Sequence, residues 1–538
     1  MDKKNGRANR HLEGRAERHD VAATFQLYRN YKLEDNEALA DQYIARCQDI
    51  LEDPQTRLSL TEIKLIDFRR YDYFHMNFHS RLTVVVGENG AGKTTIVEGI
   101  AKALSWITAN IEKENNIGKM VTLSDINVRS AQYAEVGANF FLTKKNSYGI
   151  SLSKATLGSE KKKDSSVRDI KALADVYRIV NARNRINLPT FVFYSVDRSR
   201  VGNTPMRESL VDLVRESPLD AYADCLDGEG NFSKFLDFFS QLENRAQPEM
   251  PVVYKADTNT EKLKDALIKL LEDGDIKNNK RLLEIINQEN TDTALKIADS
   301  DAVEHLKIVK QAIVSMIPDA TDLFVDRRSG RRELKVKIND VTVGVGQLSH
   351  GQKSVIAMTA DLVRRLILLN PKRENPLEGQ GIVIIDEIEL HLHPMWQQVI
   401  LPNFLRTFPA IQFIVTTHSP QVLTTVDSKC IRVLHQINDE FTGQPRIVAS
   451  NAEIQTKGIA SSDALARIMG INPIPNDPEA IKLSTYRSFI EKNSYKSKEA
   501  EAIRQELNDH FGQNHPAILE CERLIRLQEI KQKLSKPT

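Results

Sequence analysis

The stretch GENGAGKTT, from position 87 to 95, constrains the fold more than any other part of this 538-residue chain. A short apolar run, RLTVVV, precedes it, and four aliphatic side chains of the following segment recur at helical spacing. Strand, glycine-rich loop and helix in this order are typical of a phosphate-binding loop in an α/β sheet. The alternative is a glycine-rich turn that precedes a helix and binds nothing. The buried strand and the Lys-Thr pair argue against it.

The residue types of this loop suit a nucleoside triphosphate. Glycines let successive backbone N–H groups point inward around a phosphate, and the helix N-terminus adds partial positive charge. Lys93 can reach the terminal phosphates, and Thr94 offers a hydroxyl to Mg²⁺. The predicted nucleotide-binding residues are Gly87, Glu88, Asn89, Gly90, Ala91, Gly92, Lys93, Thr94 and Thr95. ATP and Mg²⁺ are therefore the expected ligands.

Two adjacent carboxylates follow a second apolar run, in IVIIDEIELHLHP at positions 382–394. The carboxyl ends of strands form the ligand-binding edge of open α/β sheets, and paired carboxylates there are costly without a nearby cation. We expect Asp386 to hold Mg²⁺ and Glu387 to orient or deprotonate an attacking water. The alternative is a solvated strand end.

A third apolar run, FIVTTHSP, ends in His418. A single histidine is more often a core or surface residue than a ligand contact. Here the run predicts a strand that ends at the same edge of the sheet as the phosphate loop. We therefore predict that His418 contacts the γ-phosphate.

The segment LSHGQ, at positions 348–352, precedes a long amphipathic helical pattern. Ser349 is a suitable N-cap, so one interpretation is simply a capped helix. The other is that Leu348, Ser349, His350, Gly351 and Gln352 form a second anion site at a helix N-terminus. One nucleotide has one γ-phosphate, so a second site would act in trans on the nucleotide of another subunit.

Composition and charge restrict the class of protein. The chain has 74 Lys and Arg against 73 Asp and Glu, which argues against binding nucleic acid by bulk attraction. No apolar run approaches the roughly 20 residues of a membrane span. The polar first 20 residues do not resemble a secretory signal. Four scattered cysteines suggest neither a zinc site nor a disulfide framework, and a cytoplasmic location is expected.

The patterning predicts six parts. They are a flexible N-terminus (1–20), a helical hairpin (21–58), a lobe with the phosphate loop (59–157), a mostly helical insertion with one core strand (158–330), a second lobe with the other three motifs (331–450) and a helical tail (451–538). The insertion includes two amphipathic stretches, LKDALIKLLED and NKRLLEIINQ, and the basic cluster RRSGRR at 327–332. That cluster is either a nucleic-acid contact or a solvated hairpin tip, and the tail is expected to bind a partner.

Together these motifs resemble those of ABC-type ATPases. GENGAGKTT is similar to Walker A, VIIDE to Walker B, LSHGQ to the signature LSGGQ, and TTHSP to the histidine switch. DEIELHLHP and TTHSP resemble the branch that contains SMC, RecF and OLD-type proteins. LPTFVFYSVDRSR (188–200), FSKFLDFFSQLENRAQ (232–247) and the helical ends of the chain resemble PtuA, the ATPase family of Septu-type antiphage systems, in the version encoded beside retrons.

The resemblance implies an α/β P-loop ATPase head with a helical insertion, and two heads that pair around ATP. Lys93 of one chain would then face Ser349 of the other. It also implies an HNH-type nuclease partner (PtuB-like) and, for retron versions, a reverse transcriptase with its multicopy single-stranded DNA. ATP binding would dock the heads and control the nuclease.

Three other functions share some of these sequence features. A DNA-repair ATPase like SMC or RecF remains the main alternative, although the insertion lacks the sustained heptads of long coiled-coil arms. A self-contained OLD-type nuclease would need an acidic metal cluster after the ATPase core, and no D-x-D follows Pro420. A transporter subunit fits poorly with DEIELHLHP.

Overall fold

The protein is described by a computed structural model, which covers residues 2–129, 132–143, 146–156, 158–159, 163–199, 217–230, 232–246, 300–326, 333–438 and 443–535. Its strands are β1 (Ser59–Phe68), β2 (Tyr71–Asn77), β3 (Leu82–Gly87), β4 (Tyr133–Thr143), β5 (Asn146–Ala155), β6 (Thr190–Tyr194), β7 (Ala320–Asp326), β8 (Glu333–Ile338), β9 (Val341–Gly344), β10 (Gly381–Ile385), β11 (Ile411–Thr417), β12 (Ile431–Asn438) and β13 (Pro445–Asn451).

The helices within the same ranges are α1 (Asp2–Ala16), α2 (Val21–Leu33), α3 (Glu37–Glu52), α4 (Lys93–Glu112), α5 (Arg168–Arg183), α6 (Phe232–Ala246), α7 (Ser300–Val314), α8 (His350–Leu369), α9 (Pro394–Gln397), α10 (Ile400–Thr407), α11 (Pro420–Leu423), α12 (Ser461–Arg467), α13 (Pro478–Glu491), α14 (Lys498–Phe511) and α15 (Pro516–Ser535).

A six-stranded sheet lies at the centre of the fold, in the order β13-β12-β3-β11-β10-β6. Five of these strands are parallel, and β13 is antiparallel at one edge. Strands β3, β6, β10 and β11 are buried along their whole length, as their continuous apolar runs predict. Parallel strands end at one edge of a sheet, so the segments after β3, β10 and β11 meet there. The predicted α/β class is confirmed.

The sheet separates two apolar cores. Alternate residues of β10 point to opposite faces, with Ile382 and Ile384 in one core and Val383 and Ile385 in the other. The first core contains α4, α5, the helical pair α2 and α3, and an antiparallel sheet in the order β2-β1-β4-β5. The second contains α6, α7, α8 and a small antiparallel sheet, β7-β8-β9. Both faces of the sheet are therefore covered, as a mostly parallel sheet requires.

A buried polar network joins α8 to the edge strand β6. Arg365 Nε lies 2.8 Å from Asp361 Oδ2, and both side chains are at most 1% exposed. The hydroxyl of Tyr194 donates to the same carboxylate oxygen at 2.9 Å. Because a buried charge is costly unless it is paired, this network holds the long helix on the sheet in one register.

The N-terminus differs from the expected flexible segment, because α1 spans Asp2–Ala16. Ala16 is fully buried, the hydroxyl of Tyr31 donates to Glu13 at 3.1 Å, and Arg15 pairs with Asp20 at 2.6 Å. The helix is polar on average, so its sequence shows no apolar stripe. Its tertiary contacts with α2 hold it in place.

The segment from 158 to 330, expected to carry one core strand, contains β7 as well as β6. Strand β7 pairs with β8 in the small antiparallel sheet. The stretches LKDALIKLLED and NKRLLEIINQ and the basic cluster at 327–332 lie outside the described residues. Among the helices that the structure describes, none is both long and apolar enough to cross a membrane.

The C-terminal helices α13, α14 and α15 pack around a small core of their own. It contains Tyr486, Ile490, Leu507, Ile518 and Cys521. This core does not share residues with the two cores of the sheet, so α13, α14 and α15 form a separate packing unit. The earlier part of the predicted helical tail does not belong to it, because Ala464 and Ile468 lie in the second core of the sheet.

Candidate functional site

The phosphate loop turns between β3 and α4 in a conformation that needs glycine. Gly90 has φ +76° and Gly92 has φ +92°, both in the left-handed region that side chains disfavour. A Cβ on Gly92 would also lie 2.6 Å from the hydroxyl oxygen of Tyr71. That hydroxyl donates to the carbonyl of Ala91 at 2.9 Å, which fixes the loop from β2. The loop therefore has a backbone conformation that only glycine adopts easily, and the side chain of Tyr71 holds it in place.

Lys93 lies inside this loop. Its ammonium donates to the carbonyls of Gly87 at 2.9 Å and Glu88 at 3.0 Å, and the residue is 5% exposed. Burial lowers the pKa of Lys93, and the nearby carboxylates at the end of β10 partly offset that effect. The other predicted loop residues differ in exposure: Glu88, Asn89 and Thr94 are exposed, Ala91 is half-buried and Thr95 is buried.

Asp386 is the buried polar centre of the sheet edge. Its carboxylate accepts from the hydroxyl of Thr94 at 2.8 Å on one oxygen and from Thr416 at 2.5 Å on the other. The residue is fully buried. Thr94 lies in the first turn of α4 and Thr416 is the last residue but one of β11. Three segments that are distant in sequence therefore meet at this carboxylate.

Glu387 follows Asp386 with an unusual backbone. Its φ is +47°, a left-handed value that non-glycine residues adopt at a cost of about 1–3 kcal/mol. Its N–H donates to the hydroxyl of Thr416 at 2.8 Å. Such strain persists only where surrounding contacts fix it, and it is concentrated at functional sites.

His418 lies beside a carboxylate that was not singled out from the sequence. Glu389 accepts from the hydroxyl of Thr417 at 2.7 Å and from the backbone N–H of His418. Burial and the charge of Lys93 lower the pKa of His418, against the opposing effect of the nearby carboxylates. The imidazole is therefore neutral at pH 7 and can offer either ring nitrogen as a donor.

Arg198 is the second site residue that the sequence did not reveal. It lies in a short 3-10 turn after β6, is 3% exposed, and reaches the backbone carbonyls of Asp386 and Glu387. The sequence signal was a basic residue shortly after a predicted core strand, in SVDRSR. The sequence does not tell which of the neighbouring residues the guanidinium contacts.

The LSHGQ segment forms the N-terminus of α8. Ser349 is the N-cap: its hydroxyl accepts from the N–H of Gln352 at 3.2 Å, and the side-chain oxygen of Gln352 accepts from the N–H of Ser349 at 3.0 Å. Ser349 and His350 are exposed, and Leu348 is half-buried. A Cβ on Gly351 would lie 2.3 Å from the carbonyl oxygen of His391, so this helix start packs directly on the segment after β10. The capped helix is thus present, and the trans interpretation remains a prediction.

The donor set around Asp386 fits Mg²⁺. A hydroxyl and a carboxylate oxygen, both hard ligands of the kind Mg²⁺ prefers, lie 2.8 Å apart on Thr94 and Asp386. No cluster of three or more potential His, Cys, Asp or Glu ligands occurs in the part of the chain that the structure describes. A site completed by substrate phosphates and water does not need one.

Comparison with known proteins gives the family. An AAA domain model matches residues 62–318, and an AAA ATPase domain model matches residues 239–423. The Retron Ec83 probable ATPase of Escherichia coli is 30% identical over 530 residues, which cover 94% of each chain. This chain belongs to the retron ATPase family. The Retron Vc95 probable ATPase of Vibrio cholerae is 29% identical over 479 residues, which cover 85% of this chain and 88% of that protein.

Similarity to other proteins is more local. The Septu protein PtuA of Bacillus mycoides is 35% identical over 117 residues, covering 22% of this chain and 16% of PtuA. An Smc head bound to the C-winged helix domain of ScpA aligns with a TM-score of 0.37 and 14% identity, over 73% of this chain and 98% of that one. The sequence-based resemblance to an ATPase near the retron and Septu proteins is confirmed by the relatives.

Proposed function

We propose that the protein binds Mg²⁺ and ATP at the carboxyl edge of the central sheet and hydrolyses the nucleotide between two paired heads. The observation that carries this proposal is the convergence on Asp386, where the helix after the phosphate loop and the end of β11 each place a hydroxyl on one carboxylate. Lys93, in the adjoining loop, adds a positive charge beside it. An edge with this set of donors suits a phosphoryl-transfer site.

The residues have distinct roles in this proposal. The loop N–H groups and Lys93 bind the phosphates, and Thr94 and Asp386 hold the metal. Bound Mg²⁺ would offset negative charge on the phosphate oxygens. Glu387 orients a water and accepts its proton, and neutral His418 donates a hydrogen bond to a γ-phosphate oxygen.

The second head supplies LSHGQ in trans. Ser349 and His350 are exposed, and they lie at the positive end of a 20-residue helix. The N-terminus of α8 thus has the charge and exposure that a phosphate held by another subunit requires. His350 replaces a glycine of the signature that LSHGQ resembles, and it adds an imidazole ring at this contact.

The relatives support a biological role for the protein, because they include two retron ATPases and the Septu protein PtuA. We infer that the protein acts in the cytoplasm as the ATPase of an antiviral complex, with its nucleotide state controlling an HNH-type nuclease. A reverse transcriptase and its multicopy single-stranded DNA complete the complex. The tail supports a docking role, because α15 exposes Leu519, Leu527 and Ile530.

Two substitutions test the ATPase proposal. Lys93→Ala should abolish ATP binding, because it removes the charge inside the phosphate loop, whereas Glu387→Gln should keep binding and trap an ATP-bound dimer. Calorimetric titration with MgATP and light scattering measure the two effects. Lys457→Ala and Glu491→Gln, at exposed positions, serve as matched controls. Wild-type ATP affinity in Lys93→Ala, or wild-type turnover in Glu387→Gln, would refute the assigned roles.

A further inference from the structure

The guanidinium of Arg198 makes hydrogen bonds to three segments: its own turn after β6, the backbone that follows β10, and α8. Nη1 donates to the carbonyl of Ser195 at 2.9 Å and to the carbonyl of Asp386. Nη2 donates to the carbonyl of Glu387 at 2.6 Å, and Nε donates to the hydroxyl of Ser354 at 3.3 Å. The planar guanidinium thus bridges two successive backbone carbonyls and a side chain of the neighbouring helix.

Burying this charge is costly, so its position needs a physical reason. Burial lowers the pKa of Arg198 to about 10, and the carboxylates of Asp386, Glu389 and Glu387 act in the opposite direction. The side chain is still charged at neutral pH. Charge-assisted bonds to carbonyls are stronger than neutral ones, and they have a fixed direction. The guanidinium therefore holds the groups that it contacts at fixed distances from one another.

The guanidinium of Arg198 restrains the backbone of Glu387. This residue has φ +47°, its N–H is bound to Thr416, and its carbonyl is bound to Arg198. Contacts at both ends of the residue fix a conformation that a free chain would leave. The orientation of the Glu387 side chain depends on that conformation, because a rotation about φ would swing its Cβ away from the sheet edge.

The same guanidinium also contacts the signature helix, which is α8, the helix that begins within LSHGQ. Ser354 lies on α8 five residues after its N-cap, Ser349. Close to that point, Gly351 packs against the carbonyl of His391, so α8 touches the segment after β10 directly as well as through Arg198. A displacement of the N-terminus of α8 would therefore move the guanidinium and, with it, the backbone of Glu387.

We propose that Arg198 is a positioning residue that holds Glu387 in its hydrolytic orientation and makes that orientation depend on where the signature helix lies. Docking of a second head on Ser349 would then change the position of the Glu387 side chain. This inference rests on the proposed ATPase function, since it assigns Arg198 an effect through Glu387 and not on the nucleotide itself.

The test compares Arg198→Met, Arg198→Lys and Ser354→Ala in the full chain. Single-turnover hydrolysis of radiolabelled MgATP gives the rate of the chemical step, and calorimetry gives the ATP affinity. Arg198→Met should lower the rate by about 100-fold, the scale of a misplaced catalytic group, with ATP affinity changed less than about 2-fold. Arg198→Lys should recover part of the rate. Ser354→Ala should lower it about 3- to 10-fold, as expected for one lost hydrogen bond.

A double-mutant cycle separates positioning from general damage. If Arg198 acts through Glu387, adding Arg198→Met to Glu387→Gln should lower the residual rate no further, whereas independent effects would multiply. Arg523→Met, at an exposed arginine of α15, is the matched control and should keep the wild-type rate. Circular dichroism checks folding, and if Arg198→Met does not fold, the Lys and Ser354 variants decide.

The possible results separate a failure of the positioning role of Arg198 from a failure of the proposed ATPase function. A slow Glu387→Gln together with wild-type rates in Arg198→Met and Ser354→Ala overturns the positioning role and leaves the ATPase proposal standing. Multiplicative effects in the cycle overturn it as well. A wild-type rate in Glu387→Gln, or a wild-type chain that hydrolyses no ATP, overturns both.

Discussion

Two buried arginines, Arg365 of α8 and Arg198 of the turn after β6, differ in what they bind. Arg365 pairs with Asp361 at 2.8 Å and donates to the carbonyl of Ala223 at 3.2 Å. Arg198 binds the carbonyls of Asp386 and Glu387. Burial acts to lower the pKa of both groups. For Arg365 the neighbouring Asp361 outweighs burial, so its pKa lies above the usual range. For Arg198 burial prevails, and its pKa falls to about 10.

The acceptors around each guanidinium decide whether it has a structural or a functional role. Arg365 has a carboxylate of its own, so its charge is neutralised locally and the pair serves as a brace between α8 and β6. Arg198 has backbone acceptors, and the carboxylates whose charge it feels belong to the candidate ATP site. A change at Arg365 should therefore affect stability, and a change at Arg198 should affect chemistry.

The largest expected effect on stability is that of Arg365→Met. It leaves Asp361 buried without its partner, and we expect the free energy of unfolding to fall by about 3–5 kcal/mol. Urea denaturation measures this loss. Arg198→Met should cost less, about 1–3 kcal/mol, because it leaves neutral carbonyl acceptors without their donor and does not leave a directly paired carboxylate alone.

A second substitution checks the reason for that loss. Arg365→Met combined with Asp361→Leu should recover part of the stability, because no unpaired charge remains. If Arg365→Met costs less than about 1 kcal/mol, or if the double variant is less stable than the single one, Arg365 is not a brace of the kind described.

A smaller effect concerns the titration of His418. Burial and Lys93 lower the pKa of this imidazole, so Lys93→Met should raise that pKa towards 6.5, whereas Arg365→Met should leave it unchanged. Because the folded pKa is depressed, the contribution of His418 to stability is constant above the unfolded value of about 6.5. It declines as pH falls below that value. NMR titration of the metal-free and nucleotide-free protein gives the pKa, and equal shifts in both variants would contradict the separation of the two charge clusters.

The strands and the loop of the site could be predicted from local sequence. Continuous apolar runs marked β3, β10 and β11, and parallel strands bring their polar ends to one edge. Asp386, Thr94 and Lys93 could therefore be placed together without coordinates. The helix cap at Ser349 was also local, because the residue and its partner Gln352 are three positions apart.

The remaining parts depended on contacts between distant segments. Arg198 reaches a carbonyl 188 positions further along the chain, and no local pattern predicts where a guanidinium will point. Helix α1 is polar on average and is held by contacts such as that of Tyr31 with Glu13. Strand β7 has only three aliphatic or aromatic residues after its first position, and pairing with β8 selects its extended conformation.

In the proposed dimer, ATP is held by the phosphate loop of one chain and the LSHGQ segment of another. A mixture of two variants tests this arrangement. Lys93→Ala and Ser349→Arg each inactivate one half of every site in a homodimer. Alanine removes the charge inside the phosphate loop, and arginine would obstruct the approach to the N-terminus of α8. A heterodimer of the two variants keeps one site with both halves intact.

The measurement is ATP-dependent association, followed by fluorescence transfer between differently labelled chains. Each variant alone should fail to associate when MgATP is added, and the mixture should associate through its one intact site. If the mixture stays monomeric while a mixture of two wild-type preparations associates, both halves of the site belong to the same chain, and the shared ATP site is contradicted.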